Sequence, residues 1–95
     1  VSGRAAQRVA EKLHEVSKTK QVLCVTHLPQ VAACGDHHLK VEKVSDGIET
    51  VSYLRELAPA QRVEEIARML GGLLITQKTK VLAEEMVKAN LSQEE

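Results

Sequence analysis

Aromatic side chains are almost absent from the sequence, which contains one tyrosine, Tyr53, and no phenylalanine or tryptophan. Proteins that bind single-stranded nucleic acid stack several bases on aromatic rings, so the composition nearly excludes a surface of that kind. A net charge is absent too, because 13 basic residues balance 13 acidic residues. We therefore do not expect this piece of chain to carry a broad basic surface for nucleic acid.

Cysteine and long apolar runs are also scarce. The two cysteines, Cys24 and Cys34, do not make a disulfide framework, and a reducing, cytosolic setting fits them best. We find no signal peptide and no apolar run long enough to span a membrane, so we expect no membrane partner. With 95 residues, of which 43% are hydrophobic and 27% charged, the sequence indicates one small globular domain or part of a larger one.

Apolar spacing predicts a helix, a strand and a short helix in the first third of the chain. Residues 4–19 carry their apolar side chains on one helical stripe, which Ser2 or Gly3 is able to start. Residues 21–26, QVLCVT, form a continuous apolar run that is typical of a strand buried on both faces of a parallel sheet. A short helix is predicted at residues 29–34, where a proline opens it and a glycine follows it. Because such a strand needs neighbours on both sides, we expect another part of the protein or a partner chain to supply them.

The remaining sequence predicts a β-hairpin followed by two helices. Alternating polarity and the turn signal Asp46-Gly47 place the hairpin over residues 38–54. Helices are predicted over about residues 59–70 and 77–90, and the last helix is expected to pack back onto the rest of the chain. In the first of these two helices, the apolar stripe is interpreted as a packing surface and the charged residues as a solvated face. Those charged residues are Arg62, Glu64, Glu65 and Arg68.

Both cysteines and three of the four histidines fall within residues 21–38, QVLCVTHLPQVAACGDHH. One interpretation is a zinc site, because Cys24-x2-His27 and Cys34-x2-His37 look like two pairs of ligands. It would make the chain a small non-enzymatic zinc-binding or interaction module. Residues three apart on a strand point to opposite faces, and six residues between the pairs are fewer than the usual spacing of about twelve, so the geometry is unfavourable. The opposite-face argument also weakens a nucleophilic pair of Cys24 and His27.

A third interpretation rests on His27 alone. This residue lies just past the carboxyl end of the predicted strand, where α/β sheets place residues that contact ligands. An imidazole in that position is able to donate a hydrogen bond to a phosphate oxygen or to orient a water molecule. A structural role, in which the ring bonds a nearby carbonyl, fits the sequence equally well. Surface or solvated positions are predicted for the other histidines, which are His14, His37 and His38.

Three stretches of the sequence, VSGRAA, VLCVTHLPQVAACGDHH and RVEEIARMLGG, together resemble the RecN family. The resemblance covers about residues 1–90 and is to the C-terminal end of these bacterial double-strand-break repair ATPases, which belong to the SMC-like branch of the ABC ATPases. It implies an α/β fold, the C-terminal lobe of a P-loop ATPase head, in which helices flank a buried strand beside a β-hairpin. It divides the chain into a D-loop end at residues 1–3, a switch-histidine strand and turn at 21–30, the hairpin at 38–54 and C-terminal helices at 59–90.

The resemblance also implies functional roles and partners. Ser2 and Gly3 would belong to the D-loop, which faces a second head across an ATP-sandwich dimer. His27 would be the switch histidine, which contacts the γ-phosphate and helps to position the attacking water. ATP and Mg²⁺ would bind the complete head, including its N-terminal half, and the full-length cytoplasmic protein would reach DNA at the nucleoid. The chain has no Walker A loop and no ABC signature, and the Walker B acidic pair would precede Val1, so we expect the chain alone to be inactive.

Overall fold

Residues 3–93 are described by the computed structural model, and their side chains are described for residues 3–90. This part of the chain forms four helices and a two-stranded antiparallel sheet, a mixture that is compatible with the α/β class. Within it, no helix combines the length and the apolar character that crossing a membrane requires. In chain order the elements are α1 (Gly3–Ser17), α2 (Pro29–Cys34), β1 (Leu39–Ser45), β2 (Thr50–Glu56), α3 (Pro59–Gly71) and α4 (Gln77–Gln93).

A small core lies where α2, α3 and α4 meet. It consists of Ala33 on α2, Ile66 and Ala67 on α3, and Ala83 on α4, all of which are buried. Half-buried apolar residues surround it, and they are Ala32, Val63, Met69, Leu70, Met86 and Val87. The stripe predicted for α3 and most of the stripe predicted for α4 are thus confirmed as packing surfaces. Because alanine dominates the centre, the helices approach closely, and Ile66 is the largest fully buried side chain among the described residues.

Helix α1 is attached to this core through α2. Its buried residues, Ala6 and Ala10, are four positions apart and therefore lie on one face. Val9 and Val16 belong to the same predicted stripe, yet both are exposed. The apolar stripe of α1 is therefore only partly covered by the residues that the structure describes.

The interpretation of the charged residues of α3 as a solvated face is wrong for Arg62 and Glu65, which are each 8% exposed. Arg62 donates hydrogen bonds to main-chain carbonyls at the end of α2. Glu65 accepts a hydrogen bond from Arg68 and lies 3.0 Å from Lys40 Nζ of β1. The hydrogen bond from Arg68 holds the pKa of Glu65 below its usual value. These partners offset the desolvation that burial of a charged group entails.

The hairpin prediction is confirmed, with a longer turn than the Asp-Gly signal indicates. Residues 46–49 connect the strands, so β2 begins at Thr50 and not at Ile48. The Asp46 carboxylate accepts hydrogen bonds from the backbone N–H groups of Ile48 and Glu49, both at 2.8 Å. An aspartate that bonds the backbone two and three residues ahead closes the loop itself, and this favours the four-residue connection.

The prediction of a buried strand at residues 21–26 is wrong for this structure. The segment forms neither helix nor strand, and Leu23 and Val25 are 84% and 98% exposed. Cys24 is exposed as well. A strand needs hydrogen-bonding neighbours, and the sheet within residues 3–93 contains only the two strands of the hairpin, paired with each other. The apolar run is therefore present without anything in the described chain to cover it.

Helix α3 ends at Gly72, which has a φ of 65° and a ψ of −124° that side-chain-bearing residues rarely adopt. We expect Gly72→Ala to lower the free energy of unfolding, measured by urea denaturation of the chain, by about 1–3 kcal/mol. Gly71→Ala is the matched control, because Gly71 is helical and an added Cβ would meet Thr79 Cγ2 at 3.4 Å, an ordinary contact. The control should be neutral or slightly stabilising. Equal losses in the two variants would contradict the argument from backbone conformation.

Candidate functional site

His27 lies in a turn that hydrogen bonds hold on both sides. The backbone N–H of Leu28 donates to Thr26 Oγ1 at 3.0 Å, which closes the turn around His27. The carbonyl of Leu28 accepts from the N–H groups of Val31 at 3.1 Å and Ala32 at 3.0 Å, so Leu28 is the N-cap of α2. Pro29 follows as the first helical residue, where its missing N–H is not needed. The helix bounds predicted from the sequence are thus confirmed, and the His27 side chain is exposed just before the helix begins.

The other end of α2 is bound by a buried arginine. One nitrogen of the Arg62 guanidinium, Nη2, donates to the carbonyls of Ala32 at 3.2 Å and Ala33 at 2.9 Å, and also to that of Gly35. The last carbonyls of a helix have no partner within the helix, and a cation near them is favoured by the helix dipole. Arg62 therefore satisfies the C-terminal end of α2 from the neighbouring helix α3.

Two further contacts attach the end of α2 to the other helices. Asn90 of α4, which is 4% exposed, donates from Nδ2 to the Gly35 carbonyl at 3.3 Å. The Cys34 thiol donates to the carbonyl of Ala10 in α1 at 3.2 Å. Burial, and secondarily the charge of Asp36, raises the pKa of the Cys34 thiol, so it stays protonated as this contact requires. Contacts from α1, α3 and α4 thus converge on one short helix.

The sequence analysis did not identify Arg62 or Asn90 as partners of α2, although the helical spacing of each residue from a buried position indicated it. Arg62 lies four positions before the buried Ile66, and Asn90 lies seven positions after the buried Ala83. Both therefore share the inward face of their helix. A polar residue on an apolar stripe is expected to have a hydrogen-bonding partner, which is the role that both residues have here.

The proposed D-loop end is only partly within the described chain. Ser2 lies outside the described residues, while Gly3 is the first residue of α1. A side chain placed on Gly3 would approach Gln30 Nε2 of α2 to 3.7 Å. Gly3 therefore lies within reach of the Gln30 side chain, which belongs to the first turn of α2.

The possible zinc ligands are not brought together. No three histidine, cysteine, aspartate or glutamate side chains among residues 3–90 are placed to hold one metal ion. His37 Nδ1 lies instead 2.7 Å from a carboxylate oxygen of Glu56, and Cys34 bonds the carbonyl of Ala10. Cys24 approaches only the carbonyl of its neighbour Val25, at 3.9 Å. The structure therefore does not favour a zinc module.

His38 is half-buried, so the prediction of a surface position is wrong for it, whereas His37 is exposed as predicted. Burial, with a smaller contribution from the nearby charge of Arg62, lowers the pKa of His38. The ring is therefore mainly neutral at pH 7 and adds no positive charge near α2. Of the three histidines in residues 21–38, His38 is half-buried and His37 pairs with Glu56. His27 is exposed at a turn and forms no ion pair among the described residues.

Comparison with known proteins supplies the family. No family model matches the chain. Proteins named "DNA repair protein RecN" do match: that of Bacillus subtilis is 48% identical over 88 residues, or 93% of this chain and 15% of the relative. Those of Vibrio cholerae and Deinococcus radiodurans are 44% and 53% identical over 94% and 76% of this chain. The chain spans about 15% of the length of these curated relatives and matches their C-terminal region. At this level of identity over nearly its whole length, the chain belongs to the RecN family.

Proposed function

We propose that this chain is the C-terminal lobe of the ATP-binding and ATP-hydrolysing head of a bacterial DNA double-strand-break repair protein. His27 is its contact to the γ-phosphate of ATP. One observation supports the proposal: in a chain of the RecN family, a hydrogen-bonded turn exposes the imidazole of His27. The turn lies between the uncovered apolar segment, residues 21–26, and helix α2, which side chains of α2, α3 and α4 attach to the other helices. DNA repair is named for the relatives, and the proposal extends it to the protein that contains this lobe.

Phosphoryl transfer requires of the histidine mainly a hydrogen-bond donor in a fixed position. In phosphoryl transfer, charge spreads over the oxygens of the transferred group, and the protein acts by placing donors against them. The His27 ring has an N–H donor, and its residue lies one position before the N-cap of α2. The hydrogen bond from Leu28 N–H to Thr26 Oγ1 fixes the backbone there. Exposure leaves the donor free to meet a phosphate oxygen that the other half of the head presents.

A magnesium ion that accompanies ATP is usually held by one or two carboxylates and the phosphates, and the resemblance implies that the acidic pair lies before Val1. The proposal therefore assigns Mg²⁺ and most of the ATP contacts to the rest of the head, with the second head and its D-loop completing the pocket. The reach of Gly3 to the Gln30 side chain supports this arrangement, because it joins the expected D-loop end to helix α2, which the His27 turn precedes. DNA is reached through the full-length protein, in the cytoplasm at the nucleoid.

The uncovered apolar segment at residues 21–26 is proposed to be the strand that the N-terminal half of the same head completes. Leu23 and Val25 are both almost fully exposed, and covering each would contribute about 1.5–3 kcal/mol. Added strands would also pair the backbone groups of this segment. His27 would then stand at the end of a rigid strand and not of an open segment.

Thiol labelling tests that completion, because Cys24 lies in the segment and Cys34 does not. In a full-length RecN protein that carries this chain, with Cys24 as the one reactive cysteine, we expect iodoacetamide to modify Cys24 at least about tenfold more slowly than in the chain alone. The matched variant with Cys34 as the one cysteine should label slowly in both, since its contacts lie inside the chain. Equal Cys24 rates in the two proteins would contradict coverage of the segment.

The role of His27 is tested by its replacement with alanine in the same full-length protein, with ATP turnover and ATP affinity measured separately. Unchanged turnover would exclude His27 from the mechanism.

A further inference from the structure

We infer that Arg62 is a positioning residue for His27, acting through helix α2, and this inference rests on the function proposed above. The Arg62 guanidinium donates to the carbonyls of Ala32, Ala33 and Gly35. Those carbonyls belong to the far end of the helix whose N-cap, Leu28, directly follows His27. The arginine and the histidine are thus joined by one short rigid body.

Helix α2 needs an external partner to hold its orientation. It contains six residues, fewer than an isolated helix requires to be stable in water. Its buried residues Val31 and Ala33 are a β-branched residue and an alanine, so the apolar area that fixes it is small. A guanidinium that is 8% exposed and bonded to three carbonyls supplies the directional contacts that this apolar area does not.

Because α2 is short, a displacement of its carbonyl end, where Arg62 binds, is expected to displace the His27 turn at its other end. Six residues correspond to about 9 Å of helix, so a tilt about its middle that moves the carbonyl end by about 1 Å moves the other end by a similar distance. Misplacement of a catalytic group by about 1 Å is enough to slow a reaction by up to about 100-fold. Loss of the bonds from Arg62 to the end of α2 should therefore appear as slower turnover.

The remaining contacts of α2 should keep it folded against the other helices, although free to tilt, when Arg62 is replaced. Asn90 still donates to the Gly35 carbonyl, and Cys34 still donates to Ala10. The expected defect is therefore a less well-fixed turn in a folded protein. Lysine keeps the positive charge at the end of α2, but its side chain ends one bond short of the place that Arg62 Nη2 occupies, so it should not reproduce the three contacts.

The test is a double-mutant cycle in a full-length RecN protein that carries this chain, using Arg62→Gln and His27→Ala. We expect Arg62→Gln to lower kcat about tenfold with the KM for ATP unchanged, and to lower it less than twofold further when His27 is already alanine. If the two losses multiply, or if Arg62→Gln keeps full kcat while His27→Ala is slow, the inference fails and the proposed function stands. Full kcat in His27→Ala would overturn both.

Two other variants separate positioning from folding. Arg62→Lys serves if Arg62→Gln does not fold, and it should show the same lowered kcat and the same dependence on His27. Ile66 lies one helical turn after Arg62 on α3, and Ile66→Val removes one methyl group from the core. This variant should lower the thermal midpoint while kcat stays within about twofold of the parent. A tenfold loss of kcat in Ile66→Val would mean that any destabilisation of α3 slows turnover, and the specific role of Arg62 would be rejected.

Discussion

Replacing His27 by alanine should lower the ATP turnover of the full-length protein by about 100-fold, while the affinity for ATP changes by less than about threefold. The imidazole is exposed and has no hydrogen bond or ion pair among the residues that the structure describes, so its removal should leave the fold intact. A donor that meets the γ-phosphate as charge develops contributes mainly in the transition state. Its loss is therefore expected in kcat and not in binding. Steady-state turnover with a separate equilibrium titration of ATP measures the two effects.

His37→Ala is the matched control for this experiment. His37 is also exposed, lies ten positions further along, and pairs with Glu56 on the hairpin. Exposed ion pairs contribute little to stability, so this variant should keep turnover and ATP affinity within about twofold of the parent. A large loss in ATP affinity on replacing His27, or equal losses of turnover in both variants, would show that the histidine has another role.

Ile66→Ala should lower the free energy of unfolding of the chain by about 2–5 kcal/mol. Ile66 is the largest fully buried side chain among the described residues, and its neighbours in the core are alanines. The alanines cannot fill the space, and the half-buried Met69, Leu70 and Met86 at the edge of the core determine how far it closes, which sets the loss within this range. Since domains are stable by only about 5–15 kcal/mol, the loss should be visible as a shift in the urea midpoint and in the thermal midpoint.

Leu73→Ala removes the same number of carbon atoms at an exposed position and is the control for Ile66→Ala. Leu73 follows α3 and is fully exposed in this structure. Its replacement should change the free energy of unfolding by no more than about 0.5 kcal/mol. If Ile66→Ala were as mild as Leu73→Ala, the core described for α2, α3 and α4 would not be the one that stabilises the chain.

Local signals were sufficient to predict most of the secondary structure. The bounds of α2 follow from Pro29 and Gly35, and the end of α3 follows from Gly71 and Gly72. Thr76 caps α4, because its Oγ1 accepts from the backbone N–H of Thr79 at 3.2 Å. Prolines, glycines and capping side chains act within a few residues of themselves, so sequence alone reveals their effect.

Burial could not be predicted in the same way, because it depends on what else is present. The run QVLCVT has the composition of a buried strand, but composition does not say whether neighbouring strands belong to the chain. Leu23 and Val25 are exposed here since nothing among the described residues pairs with them. Arg62 shows the opposite error: a charged residue indicates a solvated surface until the carbonyls it meets are known. The role of His27 stays a prediction from the sequence, whereas periodicity placed Arg62 on the inward face of α3 and only coordinates identified the carbonyls it meets.

The alanine centre limits how the sequence of this lobe is able to drift. Ala33, Ala67 and Ala83 lie where three helices are closest, so a larger side chain at any of them would displace a helix. The helix with the fewest residues to resist displacement is α2, which carries the turn of His27. If His27 acts as proposed, selection for side-chain size at these positions would act on ATP turnover as well as on folding, through residues of the buried core.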